Sequence, residues 1–371
     1  MPVCRLCCPD FFVMSKEEDG VGGDAVRRLR IDNMAYPGNK NSLNFATHAP
    51  AATDPVWFTV DYKNRLLLTL DPQRTIRTHS LTLRPRGTPI ALSGNVQTLA
   101  LACDWRNERV YYVKKTQATI TNNVPDVGLS TEDYEFEYRA VNYDGSGDQL
   151  IATDSGSTHA VTGFLASQVF WIRFSPLEGG QLYVSFRRAG LSPASPPDTD
   201  LFAYLKKMDV QTGGITTLVS LEDPTGSATG DAVIRGLAVS AKRQKLVWIE
   251  SVTQTGGTVH YLKVGGLDGG GATTILETGL GTALPTQALR HVLVSEKEDR
   301  LYVYVFGSSP AAIMYVKRMD FDGSEETTLF DTGQAVDGKG PGWLGNGSYS
   351  SEAIALGCQR EHAGAGYEGD G

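Results

Sequence analysis

Short runs of β-branched and aromatic residues recur along the whole chain, and a polar turn separates each run from the next. In one kind of unit, an apolar run, a charged turn and a second apolar run follow one another. This order predicts a β-hairpin, because the polar break separates two segments that each favour the strand conformation. Units of this kind begin at Val56, Leu99, Val169, Leu237 and Val292.

A second kind of hairpin has a tight turn rich in Asp, Asn and Gly. Such pairs suit two-residue turns, because Gly adopts positive φ angles without steric cost. The turns recur at a mean interval of about 58 residues, a spacing that is typical of a propeller or an array. The second residues of these turns are Asn33, Gly87, Gly145, Gly213, Gly269 and Gly323.

Each hairpin of the first kind joins the hairpin that follows it, which predicts four antiparallel strands per unit. Five units are complete, and the sixth is divided between a hairpin around residues 26–45 and a strand from Ser350. A chain that closes a ring by pairing its two ends has this permuted order, whereas an open solenoid needs capping repeats. We therefore predict an all-β fold, a six-bladed β-propeller of four-stranded antiparallel blades, in which N- and C-terminal strands share one blade.

The repeats cover residues 24–360, which we assign to the propeller. Residues 1–23 are polar and unpatterned, so we expect a disordered tail, and we expect a flexible tail at 361–371. Two polar insertions, 114–134 and 187–200, are predicted as loops between the second and third strands of their blades. Both fall on one face of a propeller, and long loops on one face mark a binding face for a protein or small-molecule partner.

The net charge and the composition exclude some classes of binding partner. The formal net charge of −8 disfavours nucleic acid, because the phosphate backbone is itself anionic. No apolar stretch is long enough for a membrane span, and the first residues do not resemble a secretion signal. We therefore expect a cytoplasmic protein, and we take it to be a monomer. The five cysteines do not form the pattern of a disulfide framework.

The strands NRLLLTL, ERVYYVK, QLYVSF, KLVWIE and DRLYVYV, each followed by an Asp- or Gly-containing hairpin, resemble degenerate YWTD repeats. These repeats build the six-bladed propellers of the low-density lipoprotein receptor group. The resemblance extends over residues 24–360 and implies the propeller fold together with a protein-binding role. The Tyr-Trp-Thr-Asp string itself is not intact, and Cys-rich flanking modules are missing from this sequence.

Propeller enzymes act at the mouth of the central channel, where the first strand of each blade begins. Arg235 and Arg290 align with one another at two such positions, and two guanidiniums there can clamp a carboxylate or phosphate. Alternatively, they pair with acids such as Asp231 and Glu352 and serve the fold. The ligand-binding candidates at the predicted strand starts are Trp57, His159, Arg235, Arg290, His291 and Glu352.

No catalytic residue is assigned from the sequence. His159 and His291 are the candidates for acid–base chemistry, because imidazole titrates near neutral pH. His79 and His260 fall in the middle of predicted third strands, and we interpret them as structural.

Neither a metal site nor a cofactor is predicted. Calcium-dependent propeller hydrolases need several oxygen ligands on their first strands, and here only Asp61 and Asp104 qualify, at the far strand ends. The acidic hairpin turns lack the ligand spacing of an EF-hand.

Two main hypotheses for the function follow. The first is a ligand- or protein-binding scaffold without a catalytic centre. The alternative is a channel-mouth hydrolase or a lactonase-like propeller enzyme, which would require polar groups to converge in the channel. A lectin ranks last, because the five tryptophans do not share one position in the repeats.

Overall fold

The computed structural model is an all-β propeller of four-stranded antiparallel sheets. Within the described residues, no helix is long and apolar enough to cross a membrane. The structure describes residues 10–18, 25–33, 57–61, 63–71, 74–80, 85–92, 97–124, 129–160, 167–191, 199–221, 231–254, 256–285, 287–296, 298–307, 313–331 and 354–356.

The chain divides into two compact units. The first unit consists of residues 1–92, 143–145 and 291–371. It contains a four-stranded sheet in the order β3-β4-β5-β6 and most of a second in the order β19-β20-β21-β22. Their strands are β3 (Trp57–Asp61), β4 (Leu66–Leu70), β5 (Thr75–Ser80), β6 (Pro85–Ala91), β19 (Gln287–Ser295), β20 (Arg300–Gly307), β21 (Ile313–Met319) and β22 (Thr327–Asp331).

The second unit consists of residues 93–142 and 146–290 and holds three four-stranded sheets. In each sheet, the strands lie side by side in chain order. The strands are β7 (Gln97–Asp104), β8 (Arg109–Val124), β9 (Leu129–Asn142), β10 (Gln149–Ala160), β11 (Gln168–Ser175), β12 (Gln181–Leu191), β13 (Thr199–Asp209), β14 (Ile215–Ser220), β15 (Ala232–Ser240), β16 (Lys245–Gln254), β17 (Gly257–Gly266) and β18 (Thr273–Gly279).

The prediction of six four-stranded blades is wrong in its count, since the described structure has five. A further sheet has three strands, β1 (Asp10–Glu18), β2 (Ala25–Asn33) and β23 (Ile354–Leu356). In it β23 pairs with β1, so the N- and C-terminal strands share one sheet. The C-terminal part of the chain contributes a single strand of three residues here, and no fourth strand is described. The strand β1 lies within residues 1–23.

The insertion at 114–134 is largely strand and not the predicted loop. The strands β8 and β9 stay paired from Arg109 and Asn142 out to Val124 and Leu129. Threonines and β-branched residues in this segment favour extended pairing despite its polarity. The 187–200 segment likewise begins as strand, because β12 runs to Leu191 and its pairing with β13 resumes at Thr199. The long connections at these two places are thus extended hairpins.

Polar side chains hold the first turn of each sheet. Asp61 accepts hydrogen bonds from Asn64, and Asp104 accepts the equivalent bonds from Asn107. Ser240 accepts a hydrogen bond from the amide of Arg243 at the same place in the β15–β18 sheet. The predicted hairpin turns are confirmed at Gly145, Gly213, Gly269 and Gly323, which lie between paired strands and have positive φ angles. The turn predicted at Gly87 is wrong, because Gly87 lies within β6, where the pairing with β5 is irregular.

The core consists of side chains on the faces of the sheets. Its largest fully buried members include aromatic residues from the second and third strands, where they pack between neighbouring sheets. These residues are Trp248, Tyr112, Tyr138, Tyr183, Tyr302, Phe136 and Phe186.

Candidate functional site

The structure places five of the six predicted site residues on four different strands. Arg235 lies on β15, while Arg290 and His291 are consecutive on β19. Trp57 begins β3, whereas His159 is near the end of β10, the outermost strand of its sheet. Glu352 lies outside the described residues. Of these six, His159, Arg235 and Arg290 belong to the second unit. The charges of Arg235 and Arg290 both act on His260 in that unit.

Arg235 occupies a special point of its strand. The pairing of β15 with β16 shifts by one residue between Arg235 and Leu237, which marks a β-bulge at Gly236. Gly236 has a φ of 66°, in the left-handed region that favours glycine. Bulges redirect the side chains beside them and occur frequently next to active sites. The first strands β7 and β11 carry bulges too, but their preceding residues are Thr98 and Val169. Of the three residues that precede these bulges, Arg235 is the charged one.

A second arginine reaches this region from the neighbouring sheet. The hydroxyl of Ser185 on β12 donates a hydrogen bond of 2.7 Å to the carbonyl oxygen of Ile234 on β15. This bond fixes one face of β12 against β15. Arg187 follows Ser185 by two residues, so its side chain projects from the same face. Arg187 and Arg235 are both partly exposed and lie close enough for their charges to interact.

A serine–histidine pair lies on the same face of the β15–β18 sheet as Arg235. Val233, Ser251 and His260 are direct cross-strand neighbours on β15, β16 and β17, and their side chains therefore share a face. Arg235 is two residues beyond Val233 on that face. The Ser251 Oγ and His260 Nδ1 atoms are 2.7 Å apart, and both residues are buried. This contact leaves the Nε2 atom as the ring nitrogen for any further partner.

Burial, together with two arginines, keeps the imidazole of His260 neutral. Burial, followed by the charges of Arg290 and Arg235, lowers the pKa of His260 to about 3. The ring is therefore neutral at pH 7. Burial and the neighbouring Arg235 likewise lower the pKa of Arg187 to about 10, although Asp231 acts in the opposite direction. Burial also lowers the pKa of Arg235. The site is thus a positively charged environment around a neutral base.

Two described acids lie near this site, and one of them, Asp231, acts on the charge of Arg187. Glu250 precedes Ser251 and points to the opposite face of the sheet, where it accepts a hydrogen bond from Trp248 Nε1 at 2.8 Å and pairs with Lys263 at 2.7 Å. Asp231 is exposed, and its Oδ1 atom accepts the amide of Leu201 at 3.0 Å. Within the described part of the chain, no group hydrogen-bonds to the buried Nε atom of Arg235. The Nε atom of Arg235 is thus buried without a described hydrogen bond, while the side chain as a whole is partly exposed.

A second polar cluster in the same unit has a structural arrangement. Lys115 donates hydrogen bonds to Glu132 and to the Oγ and carbonyl oxygens of Ser167, at 2.9 and 2.8 Å for the serine atoms. The amide of Ser167 donates to Glu132 at 2.8 Å. A serine beside a lysine can act as a nucleophile, but these three side chains are fully buried and bonded to one another. We therefore assign this cluster to the fold.

Comparisons with known proteins give the fold and no family. No family model matches the chain, and no curated protein matches it. Among solved structures, it is similar to an oligogalacturonate lyase in complex with manganese, with a TM-score of 0.50, 7% identity, and coverage of 89% of this chain and 87% of that one. It is also similar to a proposed 6-phosphogluconolactonase from Bacteroides fragilis, with a TM-score of 0.48, 10% identity, and coverage of 89% and 96%. At such identities the likeness shows the propeller fold alone.

These findings correct the main functional prediction. The lyase carries the name of an enzyme, so the hypothesis of a scaffold without a catalytic centre is contradicted by this comparison, and the alternative, a propeller enzyme, fits it better. The resemblance to YWTD repeats gains no support from a family match. Manganese is reported for the lyase, but in the part of this chain that the structure describes, no group of three or more His, Cys, Asp or Glu residues could hold a metal ion.

The structure adds three residues that sequence reasoning did not select, namely Ser251, His260 and Arg187. The sequence placed His260 in a third strand, and the structure does so as well. Its partners come from other strands, and their proximity depends on the pairing register. The alignment of Arg235 with Arg290 was the one signal in the sequence that pointed to this region.

Proposed function

We propose that the chain is a propeller hydrolase that opens lactones or related esters, with His260 as its general base. The observation that carries the proposal is the Ser251–His260 pair, which lies beside Arg235 on one face of the β15–β18 sheet. A histidine oriented by a hydrogen bond through one ring nitrogen is the arrangement that general-base catalysis requires.

The imidazole of His260 is neutral and therefore has a lone pair for this role, although its lowered pKa makes it a weaker base than an ordinary histidine. With its pKa near 3, His260 is unprotonated at pH 7 and can accept a proton at Nε2, provided that the Nδ1 proton is donated to Ser251 Oγ. His260 takes a proton from water while the water oxygen bonds to the carbonyl carbon of the substrate. The ester C–O bond then breaks, the proton passes to the leaving alkoxide, and the product is a hydroxy acid. Ser251 is a positioning residue that selects the tautomer.

The test is proton release by the full-length protein from a panel of γ- and δ-lactones and phenyl esters, with and without a carboxylate group, followed in a pH-stat. We expect His260→Gln to reduce kcat/KM by at least about 100-fold, the range of general-base contributions. His79→Gln is the matched control. His79 is also buried on a third strand and contacts a hydroxyl, that of Thr69 at 3.1 Å.

His79→Gln should leave kcat/KM within about twofold of the parent, because His79 lies in the first unit and neither Arg235 nor Arg290 acts on its pKa. Ser251→Ala should lower kcat about tenfold or more at unchanged KM, since the ring loses its orienting contact. Equal activity in His260→Gln and His79→Gln, or no proton release from any substrate, would contradict the proposed hydrolase.

A further inference from the structure

Three hairpin turns in the described part of the chain contain the same dipeptide, an exposed Asp followed by Gly. Each turn is closed by an equivalent backbone hydrogen bond, and each glycine has a positive φ angle. The turns are Asp144–Gly145 between β9 and β10, Asp268–Gly269 between β17 and β18, and Asp322–Gly323 between β21 and β22. Because the dipeptide and the turn position are alike, a difference in reactivity among them must come from the surrounding structure.

An Asp-Gly dipeptide can modify itself without an enzyme. The backbone nitrogen of the glycine bonds to the Cγ atom of the protonated aspartic acid, whose hydroxyl group leaves as water together with the proton of that nitrogen. The product is a cyclic succinimide, and glycine favours it because no side chain hinders its nitrogen. Water then opens the ring. Attack at Cγ restores aspartate, whereas attack at the former backbone carbonyl carbon gives isoaspartate, in which the chain runs through Cβ and Cγ.

The glycine nitrogen is the nucleophile of this reaction, and two of the three turns hold it in a hydrogen bond. The amide of Gly269 donates to the carbonyl oxygen of Gly266 at 2.9 Å, and the amide of Gly323 donates to that of Asp320 at 3.0 Å. For the amide of Gly145, no hydrogen bond to another described residue is found. Ring closure in the first two turns therefore requires a backbone hydrogen bond to open, and in the β9–β10 turn it does not.

The packing around the glycines differs in the same direction. A Cβ atom on Gly269 would lie 3.0 Å from the Cβ atom of Leu218 and 3.1 Å from its carbonyl oxygen, so the backbone of β14 confines that turn. At Gly145 the nearest atoms to such a Cβ belong to the side chain of Ile90, at 3.5 Å, an ordinary van der Waals distance. The rotation of the backbone that ring closure requires is thus less restricted at Gly145.

We propose that Asp144–Gly145 is a site of succinimide formation and isoaspartate modification in the folded protein, and that the fold protects Asp268 and Asp322 from the same reaction. This inference is independent of the proposed hydrolase. The turn belongs to the first unit, whereas the Ser251–His260 pair belongs to the second.

The modification would act on a contact that the hairpin tip makes within the first unit. Tyr143, directly before Asp144, donates a hydrogen bond of 2.6 Å to Asp61 Oδ2, and Asp61 also holds the first turn of the β3–β6 sheet. Isoaspartate inserts an additional carbon atom into the backbone between Tyr143 and Gly145. The insertion shifts the tip against Asp61 and Ile90, so we expect these contacts to weaken.

The test is incubation of the full chain at neutral pH and physiological temperature in water enriched in heavy oxygen, because opening of the succinimide incorporates an oxygen atom from the solvent. Trypsin places the three turns in separate peptides, since Lys and Arg residues lie between them. Mass spectrometry of each peptide measures the label, and a protease that cleaves before aspartate but not before isoaspartate identifies the isomer. We expect label at Asp144 to accumulate at least about fivefold faster than at Asp268 or Asp322, since a hydrogen bond protects each of those turns.

The unfolded protein is the matched control. In concentrated urea the turns are lost, and the three dipeptides should incorporate label at rates within about twofold of one another. Asp144→Glu should remove the label from its own peptide and leave the other two unchanged, because glutamate would have to close a larger ring. Equal rates at the three sites in the folded protein, no label at Asp144, or the same preference for Asp144 in urea would overturn the inference.

A second measurement tests the effect on the hairpin tip. After the same incubation, the parent should melt at a lower temperature than before, because the hydrogen bond from Tyr143 to Asp61 is weakened. Asp144→Glu should melt alike before and after incubation. An equal fall in the two proteins, or no fall in a parent that carries isoaspartate at position 144, would contradict the proposed effect on the tip.

Discussion

At the scale of single residues, two buried histidines show how burial sets charge. His79 and His260 lie on third strands, and each contacts the hydroxyl of a second-strand residue. Burial, assisted by Arg77, lowers the pKa of His79 to about 4. Burial, assisted by Arg290 and Arg235, lowers the pKa of His260 to about 3. Both imidazoles are therefore neutral at pH 7.

These pKa values predict the pH dependence of folding. The unfolded chain binds a proton at each histidine below about pH 6.5, and the folded protein does not do so until about pH 4 or 3. Stability is therefore complete above pH 6.5 and falls as the pH decreases toward 4. At pH 4.5 we expect each histidine to cost about 2 kcal/mol. Urea unfolding at pH 7.5 and 4.5 measures the loss, which should shrink in His79→Gln and in His260→Gln.

The Lys115–Glu132–Ser167 cluster gives a second prediction. Lys115→Met leaves the carboxylate of Glu132 buried without its cation, so we expect a loss of about 3–5 kcal/mol in unfolding free energy. Adding Glu132→Leu should restore most of it, since a well-packed apolar pair can replace a buried ion pair. Lys207→Met removes the more exposed pair with Glu178 and should cost less than about 1 kcal/mol. Chemical denaturation of the parent, the two single variants and the double variant measures these unfolding free energies. A small effect of Lys115→Met would refute the assignment of the cluster to the fold.

Some residues of the candidate site could be selected from the sequence, and others could not. Arg235 and Arg290 could be selected because they align at the starts of two first strands. Ser251 could not, because an isolated serine in a strand carries no signal, and its contact with His260 depends on the register between β16 and β17. The role of His260 depends on charges from β15 and β19. Such convergence across strands has no counterpart in linear spacing.

At the scale of elements, glycines in the turns differ in what they tolerate. Gly279 ends β18 with a φ of 101°, and a Cβ atom there would lie 2.2 Å from the carbonyl oxygen of Thr258. Gly281 has a φ of 77° and no atom within 4 Å of such a Cβ. Both positions have a positive φ angle, but only at Gly279 would a Cβ atom collide with the backbone.

We expect Gly279→Ala to lower the unfolding free energy by about 3 kcal/mol or more, because backbone atoms must move in addition to the cost of the positive φ angle. Gly281→Ala carries the conformational cost alone, about 1 kcal/mol. Thermal and urea unfolding measure the loss of unfolding free energy in each variant. Similar losses in both variants would show that the close approach at Gly279 is not maintained.

Hairpins were predictable where a turn signal stood between apolar runs, as at Gly145 and Gly269. The length of strands was less predictable. The polar segment in β8 and β9 forms paired strands, because each strand supplies hydrogen-bond partners for the backbone of the other. Its composition alone had suggested a loop. Backbone pairing thus outweighed polarity at this place.

At the scale of the whole molecule, the repeat predicted the propeller of four-stranded antiparallel blades, and the structure confirms that architecture. The number of complete blades was not predictable, because it depended on whether two short terminal segments supply a fourth strand. In the described residues they supply β1, β2 and β23.

Pairing of β23 with β1 yields a test of this terminal sheet. Deletion of residues 350–371 removes β23 and its three paired positions, so we expect a lower melting temperature but a retained fold. Calorimetry with far-ultraviolet circular dichroism measures both. The deletion of residues 361–371 alone serves as control and should melt like the parent, since it keeps β23. Unchanged melting of the longer deletion would show that β23 does not stabilise the protein.

The central claim is that His260 is a buried, neutral imidazole that contacts Ser251 and lies within the influence of Arg290 and Arg235. The most direct measurement is an NMR titration of the histidine rings in the full chain, with the His260 signal assigned through His260→Gln. We predict that the pKa of His260 lies near 3 and rises in Arg235→Gln, because burial and the charges of Arg290 and Arg235 lower it. A pKa near 6.5, or one that Arg235→Gln leaves unchanged, would contradict the account.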